Sequence, residues 1–359
     1  MNSMEKQSGI VYPLLVIALI FIIITGVKTT GFIINIILFS LILTLLALPA
    51  VDWLRKKGLP HPAAVAVITI IAFLIILALV LMTVYSVQVL VADIPMFQAD
   101  LNQRMSDLTG VLERFGIQGS ELLPSSINLT TIVPVIVSSM LNLTDIVISL
   151  FFIAVLTFFA LIESPTLARR LQTLFSHKPE MLAQMSRMSQ YIMDFIVVRT
   201  ETNLVHGVLF GGILSIMGVH AAILWGILTF LLGYIPYIGL IIAAVPAIFF
   251  AWLQFGIWGA VAVIAVVCVL NLIVENPVFS YLAARKFEMP AIVVLLSVIF
   301  WGWLLGMTGM LFAVPITLML VAVFQCSDDL RWINELLGVS HLFSDQASEK
   351  SGDDGQKSP

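Results

Sequence analysis

The feature that most constrains this chain is the length and close succession of its apolar runs. Ile10–Val27, Phe32–Pro49 and Ala63–Val91 follow one another with short polar joints, and a fourth run covers about 132–162. A bilayer core of about 30 Å takes roughly 20 apolar residues in helical form. The third run is longer than that, so it tilts or projects beyond the membrane. Of 359 residues, 60% are hydrophobic and only 11% charged, against about 25% charged in a soluble domain. These runs predict an all-α polytopic membrane protein whose immediate partner is the lipid bilayer.

The polar stretches divide the chain. Residues 1–91 hold the N-terminal transmembrane helices. Lys6 before an apolar run resembles a signal peptide, but no small-x-small cleavage site follows at Gly26-Val-Lys28, which favours a retained first helix. Asp52-Trp-Leu-Arg-Lys-Lys-Gly-Leu-Pro-His-Pro62 is a compact basic loop closed by prolines. Residues 92–131 are polar, with Phe97, Leu101, Met105, Leu108, Leu112 and Phe115 at helical spacing. They read as an extramembrane amphipathic arm ended by Gly116 and a Pro124 turn. Its apolar face could meet a neighbouring subunit, the lipid surface or its own bundle. Residues 132–200 hold a transmembrane helix and a polar helical segment, and 201–325 a core with two broken segments. The tail, 326–359, begins with a short surface helix over about Asp328–Leu337 and turns Ser-, Gly-, Asp- and Lys-rich from Ser344, a composition of disorder.

Within the core, a fifth helix (Asn203–Val219) precedes a broken segment, Ala221–Leu253, and a sixth helix (Ile257–Glu275) precedes another, Pro290–Gln325. The two breaks echo each other. Gly233 to Gly302 is 69 positions, as is Pro246 to Pro315, and both copies close on Ala-Val-Pro. Gly239 and Gly309 lie 70 apart. Each arm reaches only about 20–24 Å at 1.5 Å per residue, short of the bilayer core. Re-entrant hairpins explain this, because non-helical backbone is tolerated at membrane depth where protein or water surrounds it. The expectation is about six full transmembrane helices plus two broken hairpins in an inverted repeat, an arrangement that places transport sites where the repeats meet. Placing the 52–62 loop inside puts 14 of the 17 Lys and Arg residues on that side, with both termini cytoplasmic and the arm external.

The breaks offer particular chemistry. Pro236 removes a backbone donor, and Gly239, Gly306 and Gly309 permit turns or close approach. The arms beginning near Leu240 and Met310 would aim free N–H groups into the bundle. Tyr234, Tyr237, Trp301 and Trp303 supply hydroxyl and indole donors on apolar bodies, though such aromatics also form interfacial belts. Together these eight positions suit a small polyhydroxylated or anionic solute. Glu275 ends an apolar helix in Asn271-Leu-Ile-Val-Glu-Asn-Pro277. With Asn271 one turn away and Asn276 adjacent, it is the candidate ion or proton site, with capping of the following loop as the alternative. Arg199, Glu201, Asn203 and His206 cluster at the entry to the fifth helix, where anchoring is the expected role. The charges, net −4, sit in loops and tails without a basic patch, which argues against nucleic acid. Cys268 and Cys326 fall in or beside apolar segments and read as packing residues rather than a disulfide or metal site. The chain carries no GxSxG, HExxH or phosphate-loop motif, so no catalytic residue and no cofactor is expected.

Leu228–Pro246, Asn271–Pro277, and Trp301-Gly-Trp-Leu-Leu-Gly-Met-Thr-Gly-Met-Leu-Phe-Ala-Val-Pro315 together resemble the signature of the autoinducer-2 exporter family, and Pro60–Ala66 resembles its N-terminal pattern. The resemblance covers most of residues 10–325. It implies a multi-pass protein of the bacterial or archaeal inner membrane, working as a homo-oligomer, a pentamer, in secondary-type transport. Members are assigned export of autoinducer-2, a small furanone-derived polyol, or sodium/proton exchange. Three functions stand open at this point: export of a small polar solute, cation/proton antiport through Glu275, and a non-transporting scaffold built around the external arm.

Overall fold

The computed structural model describes residues 4–114, 128–129, 143–177, 179–277, 289–325 and 330–339. The Pro124 turn, Arg285, Lys286, Cys326 and the tail from Ser344 lie outside the described residues. Thirteen helices account for the described elements: α1 (Met4–Thr29), α2 (Gly31–Lys56), α3 (His61–Ala92), α4 (Ile94–Arg114), α5 (Leu143–Leu174), α6 (Pro179–Ile216), α7 (Ala222–Leu232), α8 (Gly239–Phe255), α9 (Ile257–Leu270), α10 (Ala291–Leu305), α11 (Met307–Leu311), α12 (Ala313–Gln325) and α13 (Arg331–Leu336). A π turn over Asn271–Glu275 extends α9. Four of these are long and apolar enough to cross a membrane: α2, α3, most of α5, and α9 with its π turn.

Local chemistry sets the joints. α2 runs through the start of the basic loop to Lys56, and Gly58 then turns the chain at φ +98°. α3 starts behind Pro60 with Pro62 in its first turn, where the missing N–H has no helical partner to lose. Gly218 and Gly256, both with positive φ, close the turns that follow α6 and α8. α2, α3 and α5 pack together around Val51, Ala64, Val65 and Leu161. The outer faces of α3 (Ile70, Ile71, Leu74, Ile75) remain exposed and apolar, as a lipid-facing surface requires.

One part of the chain differs from the sequence expectation. The polar segment to Thr200 and the fifth helix are one continuous helix, α6, of 38 residues, so the boundary drawn at 200/201 falls inside it. Hydropathy changes along α6 while backbone geometry does not. For the arm the structure decides between placements that the sequence left open. Of the three places open to its apolar face, α4 occupies its own bundle. Phe97 and Leu101 are buried, and the Phe97 ring meets Phe250 and His220 edge-on at 4.8 and 5.2 Å. Arg104 Nε donates to the Leu253 carbonyl at 3.3 Å, at the end of α8. The arm thus lies across the open end of the α7–α8 hairpin, whose two ends are joined where the His220 N–H donates to Gln254 Oε1 at 3.1 Å.

Candidate functional site

Both broken segments fold back on themselves, α7 against α8 and α10 against α11 and α12. α7 has 11 residues and rises about 16 Å. Its break therefore sits part-way through the bundle. Residues 233–238 turn the chain there, and the positive φ belongs to Tyr237 (64°), not to a glycine. Gly239 starts α8 in ordinary helical geometry but lies so close to the Leu232 carbonyl that a Cβ would land on it. Close approach, rather than unusual φ, reserves that position for glycine. Pro236 accepts from the Ile238 N–H at 2.7 Å within the turn.

The second break begins at Gly306, φ +70°, and passes through the short α11 to Phe312. Gly309 abuts the Trp301 carbonyl as Gly239 abuts that of Leu232. The Trp301 indole N–H donates to Thr317 Oγ1 at 2.9 Å and ties the two arms. Asn35 on α2 fastens the end of α10 through the Leu305 carbonyl at 3.2 Å.

The two breaks meet. Leu232, Ile235 and Ala243 share one apolar cluster with Val298, Trp301, Met310, Leu311 and Ala313, and the rings of Tyr234 and Phe312 stand 6.3 Å apart. Of the eight positions expected to bind solute, Tyr234, Gly239, Trp301 and Gly309 lie at this junction. Tyr237 and Pro236 are on its first turn, with Tyr237 half exposed. Gly306 has open space around its Cα. Trp303 is apart from the others, on the outer face of α10, with the Lys28 ammonium 4.7 Å from its ring centroid.

Glu275 comes to the same place from the end of α9. Its Oε2 accepts from Arg199 Nη1 at 2.9 Å, with the side chains only 20% and 12% exposed. The same guanidinium donates through Nε, at 2.9 Å, and through Nη2 to the carbonyl of Gly233, the residue that follows α7. Arg199 therefore staples α6, the tip of the first hairpin and the end of α9 at one point. One residue along, Thr200 shares a 2.6 Å hydrogen bond with the Tyr234 hydroxyl. Asn271 and Asn276 are both exposed. Asn271 begins the π turn that ends at Glu275 and is exposed, whereas Glu275 is half-buried.

Of the cluster expected to anchor the entry of the fifth helix, Arg199 and Asn203 reach the Gly233 end of the first hairpin. Asn203 and His206 are nearly fully buried, whereas Glu201 is exposed. The signal was available in their spacing, since positions 199, 203 and 206 fall on one face of a helix and 201 does not.

The family profile described as AI-2E family transporter matches residues 12–327. A Haemophilus influenzae protein, whose name proposes transport and gives no substrate, is 31% identical over 342 residues, covering 93% of this chain and 98% of its own. The Escherichia coli K12 AI-2 transport protein TqsA is 28% identical over 308 residues, covering 85% of this chain and 89% of its own. YhhT of the same organism, another protein with a transport name, is 26% identical over 318 residues, with 88% and 91% covered.

Proposed function

The chain belongs to the AI-2E family of membrane transporters, and on that premise we propose that it exports a small polar solute such as autoinducer-2 by secondary or facilitative transport. The observation that carries this reading is the meeting of the two breaks against the Arg199–Glu275 staple. Interrupted helices facing each other at part-depth give a solute polar groups without opening a continuous channel. The name of TqsA supports autoinducer-2 as the first solute to try. The working arrangement is six full transmembrane helices plus two re-entrant hairpins, with α6 and α7–α8 repeated in inverted sense by α9 and α10–α12. It operates as a homo-oligomer, a pentamer, in the inner membrane with both termini cytoplasmic, an orientation supported by the bias of basic residues. Solute contacts fall to Tyr234, Pro236, Tyr237, Gly239, Trp301, Gly306 and Gly309, with Trp303 at the rim.

Sodium/proton antiport is the second reading, because the Glu275 carboxylate lies in the mechanical centre of the site and already holds one cationic group. Asn271 and Asn276 would then line the approach to it. The scaffold reading loses its support, since the arm's apolar residues Phe97 and Leu101 are spent on the chain's own bundle. Proteoliposomes loaded with autoinducer-2 test the choice. Export predicts protein-dependent efflux that Glu275→Gln slows, while antiport predicts a sodium pulse that moves protons in the absence of any organic solute. Absence of both fluxes would refute transport by this chain.

A further inference from the structure

Between α6 and α7 runs a seam in which three buried side chains carry polar atoms without a partner: Asn203 Nδ2, His206 Nε2 and Thr229 Oγ1. Their residues are 2%, 3% and 1% exposed. Asn203 and His206 are three apart on α6 and so share a face. α7 packs along that face closely enough that the backbones of Gly207 and Gly226 touch, and Gly233, one turn beyond Thr229, rests on the Asn203 amide. The three groups thus lie on one interface, immediately inside the point where Arg199 holds the hairpin tip.

Such orphans are costly at membrane depth, where no bulk water competes for them. Orphaned atoms also occur on α2, α3 and α13, at Asn35, His61, Thr69 and Asn334, but three meet in this seam. Thr202, Ser297 and Thr317 each donate to a carbonyl one turn back along their own helix. Thr229, on an equally regular helix, does not. A costly cluster of unpaired groups beside the hairpin tip is a candidate for binding.

The charge around the seam defines what would fit. Arg199 and Glu275 face it from α6 and α9 and neutralise each other. α7 contributes no charged residue, and the Tyr234 hydroxyl is taken by Thr200. Among the described residues, an anion would find no free cation there, and a metal cation no free carboxylate. An amide, an imidazole nitrogen and a hydroxyl offer mixed donors and acceptors of no net charge. Adjacent hydroxyl and carbonyl groups on a neutral molecule match that set, since each hydroxyl both donates and accepts.

We propose that Asn203, His206 and Thr229 form an inner solute subsite for a neutral polyhydroxylated molecule, closed in this structure by the contact of α6 with α7. The subsite rests on the transport reading above and adds residues to it. Arg199 closes the seam through the Gly233 carbonyl, and release of the first hairpin tip uncovers the three groups.

The test uses the full chain in proteoliposomes loaded with autoinducer-2 or ribose as neutral probes, ribose 5-phosphate as the charged counterpart, and sodium as the cation. Thr229→Val and Asn203→Leu replace orphans by apolar groups of similar size. Each should cut efflux of the neutral probes tenfold or more, with melting temperature unchanged or raised, and Thr229→Ser should keep the wild-type rate. Wild-type efflux in both apolar variants would overturn the subsite while leaving the transport reading intact. A lowered melting temperature in Thr229→Val would show that the hydroxyl is bonded inside the fold, and would also overturn it. A wild-type protein that moves only ribose 5-phosphate or sodium would refute the neutral ligand. One that moves none of the probes would remove the transport reading and the subsite together.

Discussion

Arg199→Met is the substitution with the largest consequence that the structure allows one to work out. It removes a guanidinium that donates to Glu275 and twice to the Gly233 carbonyl. Methionine fills much of the same space, so packing changes little and the loss is electrostatic. A carboxylate only 20% exposed is left without its counter-ion. Stranding one member of a buried pair costs about 3–5 kcal/mol, and an orphaned carbonyl about 1–3 kcal/mol. The two share one donor group and do not add in full, which leaves about 4 kcal/mol as the expected loss. Glu275→Gln should be milder, about 1–3 kcal/mol, because the amide oxygen still accepts from Nη1. The double variant Arg199→Met/Glu275→Leu strands no charge and should recover most of the single-variant loss. Thermal unfolding of the purified protein in nanodiscs, followed by tryptophan fluorescence, reads this as a fall of roughly 5–10 °C for Arg199→Met. A fall of under 2 °C, or a double variant no more stable than Arg199→Met, would refute the view that the staple holds the hairpin.

The glycines of the breaks should separate by mechanism. Gly239→Ala and Gly309→Ala place a methyl on the Leu232 and Trp301 carbonyls and should abolish correctly assembled protein in size-exclusion profiles, whereas Gly306→Ala meets no atom and should cost about 1–3 kcal/mol, the strain of holding a backbone conformation that essentially only glycine adopts. Equal tolerance of all three would mean that the close approaches are not real. Phe97→Ala should cost about 3–5 kcal/mol of local packing and loosen α4 from the hairpin end. Limited proteolysis reads this as faster cleavage within 94–114, and unchanged cleavage would place the arm's anchorage elsewhere.

The sequence by itself determined the membrane character, most of the helices and the two interruptions. Each of these depends on local chemistry: apolar length against bilayer thickness, and Gly and Pro against helix continuation. The period of Phe97, Leu101 and Met105 likewise identified an apolar face on the arm. That face did not reveal its partner, because periodicity reports which side of a helix is apolar and not what lies opposite. The same limit hid the staple. Arg199 and Glu275 are 76 positions apart, and each alone looks like a charge at a helix end. Only the packing of α6 beside α9, with a hairpin tip between them, turns the two into a pair. Even the turn residues divided their roles in three dimensions. A turn or a close approach could each reserve Gly239 from sequence, and the structure selects the second: Tyr237 adopts the positive φ, and the Leu232 carbonyl occupies the space a side chain at 239 would fill. Backbone freedom and close approach both select glycine, and only the tertiary structure decides which is at work.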